Sequence, residues 1–98
     1  PVVDDDGATL RQAAKPTGKL VGAAVSHFVL PHDARYRAVL AREFDYVTPE
    51  NCMKWSFTEP KPGQFRFADG DALVAFAREH DMKVKGHALV WHEQLPSW

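Results

Sequence analysis

Three short segments with the composition of β-strands alternate along the chain with two segments of helical periodicity. The first, LVGAAVS (residues 20–26), is a continuous run of small and apolar residues, typical of a parallel strand covered on both faces. The second, DYVTP, ends at Pro49 because proline donates no hydrogen bond to a neighbouring strand. The third is MKVKGHALVW (residues 82–91). The order strand, helix, strand, helix, strand predicts a βαβαβ unit with a parallel sheet.

Capping residues and apolar spacing mark the helices. Thr9 can cap a short helix over LRQAA, which a proline and a glycine then terminate. Asp33 can cap a second helix, whose predicted buried face comprises Tyr36, Val39, Leu40 and Phe44. A third helix is predicted to begin near Asp69 or Asp71, after the turn-rich stretch TEPKPGQ. Its apolar face comprises Leu73, Val74, Phe76 and Ala77.

Two architectures share this order of elements, the open doubly wound sheet and the closed eight-stranded βα barrel. The open sheet usually carries a glycine-rich phosphate loop after its first strand, but here SHFVLPHD ends that strand without a GxGxxG or Walker sequence. We therefore expect a barrel, whose reactive groups lie at the carboxyl ends of its strands. The polar and aromatic side chains predicted at those ends are Glu50, Asn51, Lys54, His87, Trp91 and Gln94.

The side chains at the strand ends suit a sugar better than other ligands. Neighbouring sugar hydroxyls both donate and accept hydrogen bonds, which carboxylate, amide, ammonium and imidazole groups complement. The flat C–H face of a sugar can lie on an indole ring such as that of Trp91. On the predicted third strand, His87 and Trp91 share one side, whereas His92 points to the other. Carbohydrate is the ligand class that these residues favour, with core or surface roles as the alternative.

Charge and composition argue against several other classes of function. The net charge of −1 provides neither a basic stripe for nucleic acid nor a positive patch for an anionic membrane surface, so neither partner is expected. The single cysteine, Cys52, excludes an internal disulfide and cysteine-rich zinc spacings. A metal site built from His87, His92 and Glu93 is disfavoured, because two histidines five residues apart on a strand diverge.

Three stretches in order, EFDYVTPENCMKW, KPGQFRFADGDALVAFA and GHALVWHEQLPSW, closely resemble the amino-terminal part of family 10 glycoside hydrolases, which are chiefly retaining endo-β-1,4-xylanases. The resemblance runs from about Leu10 to Trp98. It implies an α/β fold in which residues 1–98 form the N-terminal βαβαβ portion, roughly strands 1–3, of a single (β/α)8 TIM-barrel catalytic domain. It also implies a secreted, extracellular enzyme that hydrolyses the xylan backbone without a cofactor.

The same resemblance implies that six side chains bind the glycone half of xylan or xylo-oligosaccharides: Glu50, Asn51, Lys54, His87, Trp91 and Gln94. His87 and Trp91 would line the subsite of the sugar being cleaved, and Gln94 would contact the next glycone sugar. The three residues after the second strand would bind the sugar on the glycone side of the cleaved bond. Crowding by Gln94 and Lys54 would help to exclude the hydroxymethyl group of glucose.

Retaining hydrolysis needs two carboxyl groups about 5 to 5.5 Å apart. Glu50 and Glu93 are the pair that position suggests, but the resemblance places the acid/base glutamate after the fourth strand and the nucleophile after the seventh, both beyond Trp98. The chain is therefore expected to hold no catalytic residue and to be inactive alone. Its expected partners are the remaining barrel segments, in the same or a separate chain. Trp55 and Trp98 are expected to pack within loops.

Two other hypotheses stay open from the residues alone. A catalytically silent carbohydrate-binding fragment would share the sugar-binding side chains without the two catalytic carboxylates. A nucleotide-binding half-barrel or open sheet would share the order of strands and helices, but it would need the phosphate loop that the sequence does not contain.

Overall fold

The three strands and the helices predicted around them follow one another in the predicted order, with one additional short helix between the second and third strands. The computed structural model describes residues 8–98, so residues 1–7 of the predicted domain lie outside the described residues. The strands are β1 (Gly22–Val25), β2 (Tyr46–Pro49) and β3 (Lys83–Val84). The helices are α1 (Leu10–Ala14), α2 (Ala34–Glu43), α3 (Trp55–Thr58) and α4 (Ala68–Glu79). No helix among the described residues is long and apolar enough to span a membrane.

The sheet has the order β1-β2-β3, and both neighbouring pairs run parallel. Ala23 pairs with Val47, and Val47 in turn pairs with Val84. Helix α2 connects β1 to β2, while α3 and α4 lie between β2 and β3. The parallel βαβαβ order predicted from the alternation of segments is thus confirmed, and the carboxyl ends of the three strands meet at one edge.

The predicted caps at the first two helices are confirmed. The Thr9 hydroxyl accepts a hydrogen bond from Gln12 N–H while the Gln12 side chain accepts one from Thr9 N–H, which makes a reciprocal capping box. Gly18 follows the helical segment in the left-handed region, at φ 74°. The Asp33 side chain accepts from Tyr36 N–H and so caps α2.

The predicted extent of the third strand is wrong, because pairing stops soon after Val84. Lys83 N–H donates to Asp45 O and Lys85 N–H to Val47 O, both at 2.9 Å. The next bond of a parallel ladder would need an N–H from Pro49, which proline lacks. Residues 85–98 therefore leave the sheet and follow an irregular path, and the alternation of a strand does not govern their side chains.

Helix α3 lies in a stretch for which only strand exit and turns were predicted. It is a single turn, Trp55–Thr58, whose N-cap residue Lys54 makes no capping hydrogen bond with its side chain. A helix of four residues is too short to show a periodic apolar pattern, which is why the sequence did not reveal it.

The core lies between the sheet and helices α2 and α4. It comprises Val25, Leu30, Leu40, Val47, Leu73, Phe76, Ala77 and Met82. The predicted face of α4 is confirmed at Leu73 and Ala77, both fully buried. On α2, Leu40 is buried, but Val39 is 38% exposed, contrary to the predicted buried face. Val39 lies beside Ala23 and Ala24 at the β1 edge of the sheet, where no further strand covers it within residues 8–98.

The side chain of Arg11 joins α1 to the ends of α2 and α4. Its Nη1 donates to the carbonyl oxygens of Ala41, Phe44 and His80, each at 3.1 Å, and its Nη2 donates to Asp81 O at 2.9 Å. Carbonyl groups at the end of a helix have no partner within that helix, so one guanidinium satisfies several acceptors from two helices.

We expect Arg11→Ala to lower the free energy of unfolding of a complete barrel that contains residues 1–98 by about 2 to 4 kcal/mol, because partly buried carbonyls lose a charged donor. Urea unfolding followed by circular dichroism measures the loss. Arg11→Lys is the matched control and should recover only part of it, since a single ammonium nitrogen cannot reach all four acceptors that the two guanidinium nitrogens reach. An unchanged urea midpoint in Arg11→Ala would show that the four contacts contribute nothing to stability.

Candidate functional site

The first part of the candidate site follows β2. Glu50 N–H donates to Val25 O at 2.8 Å and so extends the pairing with β1, while the Glu50 side chain is exposed. A tight turn follows, in which Lys54 N–H donates to Asn51 O at 2.9 Å. Within this turn, Lys54 Nζ donates to Asn51 Oδ1 at 3.1 Å. The turn therefore brings an amide and an ammonium group together at the carboxyl end of β2.

The second part of the site is the irregular segment after β3, which returns to the turn at Asn51. Gln94 Nε2 donates to Asn51 Oδ1 at 3.2 Å, and Ser56 N–H in α3 donates to Gln94 O at 3.0 Å. The backbone of Gln94 has φ 55°, a left-handed conformation uncommon for residues other than glycine. One side-chain and one main-chain contact thus hold Gln94 in that conformation beside Asn51.

The amide of Asn51 is oriented by its two donors. Lys54 Nζ and Gln94 Nε2 both donate to Asn51 Oδ1, which uses the two lone pairs of that oxygen. The Nδ2 group therefore faces away from both donors and makes no hydrogen bond within residues 8–98. Asn51 can offer this amide group as a donor to a ligand.

Trp91 connects the ammonium group to the imidazole. Lys54 Nζ lies 4.8 Å from the centroid of the Trp91 ring, within the range of a cation–π contact. The ring of His87 meets the ring of Trp91 at 61°, with centroids 5.8 Å apart. Both aromatic residues are half-buried. A flat indole surface and two polar groups therefore share one region.

Five of the six predicted site residues are joined by direct contacts: Asn51, Lys54, His87, Trp91 and Gln94. Glu50 follows the same strand, but its side chain makes no hydrogen bond or ion pair with the other five within the described residues. His87 and Trp91 meet on an irregular segment and not on one side of a strand, so the predicted reason for their proximity is wrong. Their roles in binding stay predictions.

Glu59 was not among the predicted site residues, although it contacts the segments that carry them. Its Oε1 accepts from Trp55 Nε1 at 3.0 Å, its Oε2 accepts from Gly63 N–H at 2.8 Å, and its main-chain oxygen accepts from Trp98 Nε1 at 3.0 Å. The rings of Trp55 and Trp98 meet edge to face, at 88° with centroids 6.0 Å apart. Trp55 and Glu59 lie four residues apart, a spacing that brings side chains together on a helical turn, but the turn itself was not predictable from the sequence.

The hydrogen bond from Trp55, and then that from Gly63, lowers the pKa of the Glu59 carboxyl from its ordinary value of 4.5. A lowered pKa in the folded protein means that the carboxylate stabilises the fold at pH values above 4.5. That contribution is lost as the pH falls through the lowered value. Glu59 is therefore charged throughout the neutral range, and its two contacts persist there.

Other groups with metal-binding or nucleophilic chemistry lie near this network, and one of them, the His92 ring, meets the Trp91 ring at 72° with centroids 5.4 Å apart. Burial raises the pKa of the Cys52 thiol, and the negative charge of Asp69 raises it further, so the thiol is protonated at neutral pH. His92 Nε2 lies 3.3 Å from Glu93 Oε2, and both side chains are mostly exposed. Over residues 8–98, no three histidine, cysteine, aspartate or glutamate side chains come together as a metal site.

A sequence model described as Glycosyl hydrolase family 10 matches residues 9–98. A beta-1,4-xylanase of Dictyoglomus thermophilum is 47% identical over 78 residues, which cover 80% of this chain and 21% of the relative. Endo-1,4-beta-xylanase A of Phanerodontia chrysosporium is 44% identical over 94 residues, covering 93% of this chain and 23% of the relative. The chain thus spans less than a quarter of the length of either relative.

Solved structures agree with the sequence relatives. Xylanase 10B of Thermotoga petrophila RKU-1, in complex with xylobiose, superposes with a TM-score of 0.87 at 37% identity, covering 98% of this chain and 30% of that chain. Native xylanase 10B of Thermotoga maritima superposes with a TM-score of 0.86 at 40% identity, covering 93% of this chain and 29% of that chain. The predicted fold, the N-terminal βαβαβ portion of a (β/α)8 barrel, is confirmed. The chain belongs to glycosyl hydrolase family 10.

Proposed function

We propose that residues 50–94 provide the glycone-side binding surface of a retaining endo-β-1,4-xylanase that hydrolyses the xylan backbone. The observation that carries the proposal is the contact network in which Asn51 Oδ1 accepts from Lys54 and Gln94 while Lys54 faces the Trp91 ring. The xylobiose complex of the Thermotoga petrophila relative supports xylo-oligosaccharides as the ligand class.

The network offers a sugar both kinds of hydrogen-bonding partner. Asn51 Nδ2 and the remaining N–H groups of Lys54 can donate to sugar oxygens, whereas Gln94 Oε1 and the Glu50 carboxylate can accept from sugar hydroxyls. The half-buried face of Trp91 can cover the C–H face of a pyranose ring. A pentose without a hydroxymethyl group fits most easily beside the close pair of Lys54 and Gln94.

We assign bond cleavage to carboxylates outside the described residues. Both Glu59 carboxylate oxygens already accept hydrogen bonds, and Glu93 is mostly exposed and faces His92. Glu50 remains as a hydroxyl acceptor in this proposal. Retention requires a nucleophile and an acid/base carboxyl about 5 to 5.5 Å apart, with no cofactor, and the rest of the barrel would supply both. Because xylan is a polymer, we place the enzyme outside the cell.

The test joins residues 1–98 to the remaining barrel of Thermotoga petrophila xylanase 10B, with that xylanase and the isolated 98-residue chain as controls. We expect the hybrid barrel to release reducing sugar from xylan and to form the β-anomer first, as observed by proton NMR. A folded hybrid that does not cleave xylan contradicts the proposal. Xylobiose binding by the isolated chain, together with an inactive hybrid, would support a silent carbohydrate-binding segment instead.

A further inference from the structure

We propose that Glu59 is a positioning residue for this site: it joins α3 to residues 94–98 and thereby holds Lys54 and Gln94 against Asn51. The inference rests on the proposed function, because it concerns the same xylan-binding surface. Glu59 itself lies outside the network that would touch sugar, and no sugar-binding role is assigned to it.

The first step is the stabilisation of α3 by the Glu59 carboxylate. Helix α3 is one turn long and has no side-chain cap, so its intrinsic stability is small. Glu59 Oε1 holds the Trp55 indole at the start of that turn, and Oε2 holds the N–H of Gly63 in the following turn. Gly63 has φ 74°, a conformation that glycine adopts without strain. One carboxylate therefore ties the helix to the loop after it.

The second step is the attachment of the segment that carries Gln94. Trp98 Nε1 donates to the main-chain oxygen of Glu59, and the Trp98 ring packs edge to face on Trp55. Ser56 N–H donates to Gln94 O. Residues 94–98 thus make three contacts with α3 and its C-cap, and the Trp55 ring held by Glu59 forms the surface on which Trp98 packs.

The third step connects α3 to Lys54. Lys54 precedes the helix, and its main-chain oxygen accepts from Phe57 N–H at 2.9 Å and from Thr58 N–H at 3.0 Å. The turn of α3 therefore fixes the backbone from which the Lys54 side chain reaches Asn51 and Trp91. If α3 loosened, Lys54 and Gln94 would both lose their positions, although neither touches Glu59.

The test measures the affinity for xylobiose, kcat and KM on xylan, and thermal stability in the active hybrid barrel. We expect Glu59→Ala to raise the Kd and the KM about tenfold while kcat changes less than about threefold, since displaced binding groups weaken binding in the ground and transition states alike. Glu79→Gln, an exposed glutamate at the end of α4, is the matched control and should leave all values unchanged.

Trp55→Phe keeps the aromatic ring but removes the indole N–H, and it should raise the Kd in the same direction. The double variant Glu59→Ala with Trp55→Phe should bind no worse than Glu59→Ala alone, because both changes break the same contact. If Glu59→Ala does not fold, Glu59→Gln replaces it: its amide oxygen can still accept from Trp55, so we expect a smaller rise in Kd.

Several results would overturn the inference. A Kd for the folded Glu59 variant within twofold of the parent value would show that Glu59 does not position the site. If the effects of the Glu59 and Trp55 substitutions on Kd are additive, Glu59 does not act on the site through its hydrogen bond from the Trp55 indole. If the parent hybrid itself neither binds xylobiose nor cleaves xylan, the proposed function fails and this inference fails with it, which is distinct from loss in the variant alone.

Discussion

Replacement of Trp91 by alanine is expected to lower the affinity of the complete barrel for xylobiose by about 2 to 4 kcal/mol, or roughly 30- to 1,000-fold in Kd. The change removes the flat surface proposed to cover the sugar ring. It also removes the ring that Lys54 Nζ approaches to 4.8 Å and that His87 contacts edge to face. Isothermal titration with xylobiose measures the effect.

Trp91→Phe is the matched control, because it keeps an aromatic face for the sugar and for Lys54 while removing the indole N–H. It should recover more than half of the lost binding free energy. His92→Ala removes a ring whose centroid lies 5.4 Å from that of Trp91, but the His92 side chain is 78% exposed, so the variant should raise the Kd much less than Trp91→Ala does. If Trp91→Ala binds xylobiose within threefold of the parent, the indole ring is not part of the sugar site.

Replacement of Asn51 by alanine is expected to weaken xylobiose binding by about 10- to 100-fold, because it removes a donor to the ligand and the shared acceptor of Lys54 and Gln94. Asn51→Asp separates these two roles. The aspartate can still accept from both neighbours, but it has no N–H to donate. The same titration measures both variants.

We expect Asn51→Asp to keep Lys54 and Gln94 in place, as a crystal structure of the variant can show, while losing the contact to the sugar. Its Kd should therefore lie between those of the parent and Asn51→Ala. Equal losses in the two variants would show that the shared acceptor contributes nothing to binding. No loss in either would remove Asn51 from the site altogether.

Local patterns in the sequence were sufficient for the order of the strands and of every helix except the single-turn α3. The caps at Thr9 and Asp33 predicted the starts of α1 and α2, because a capping side chain acts within three residues of its own position. The apolar period predicted the buried face of α4. The predicted burial of Val39 was wrong, because it depends on whether another element packs over the β1 edge of the sheet. The apolar period of one helix carries no information about what packs over a sheet edge.

The predicted length of the third strand was wrong for a related reason. Its sequence has enough strand character for ten residues, but a strand continues only while its neighbour can supply hydrogen bonds. Pro49 on β2 has no N–H, so it cannot donate the next hydrogen bond to β3. Where this stops β3 depends on the pairing of Val47 with Val84. The pairing register is a property of the sheet, so the end of β3 could be understood only once the two strands were seen side by side.

The sequence by itself determined the parallel βαβαβ order, the resemblance to family 10 and the six polar and aromatic residues after β2 and β3. Only the tertiary structure decided that Asn51 accepts from a residue 43 positions away and that Glu59 holds the surrounding loops. The physical reason is the distance along the chain over which each kind of interaction acts. Capping and periodicity act within a few residues, whereas contacts between irregular segments depend on a loop path that distant hydrogen bonds and ring contacts fix.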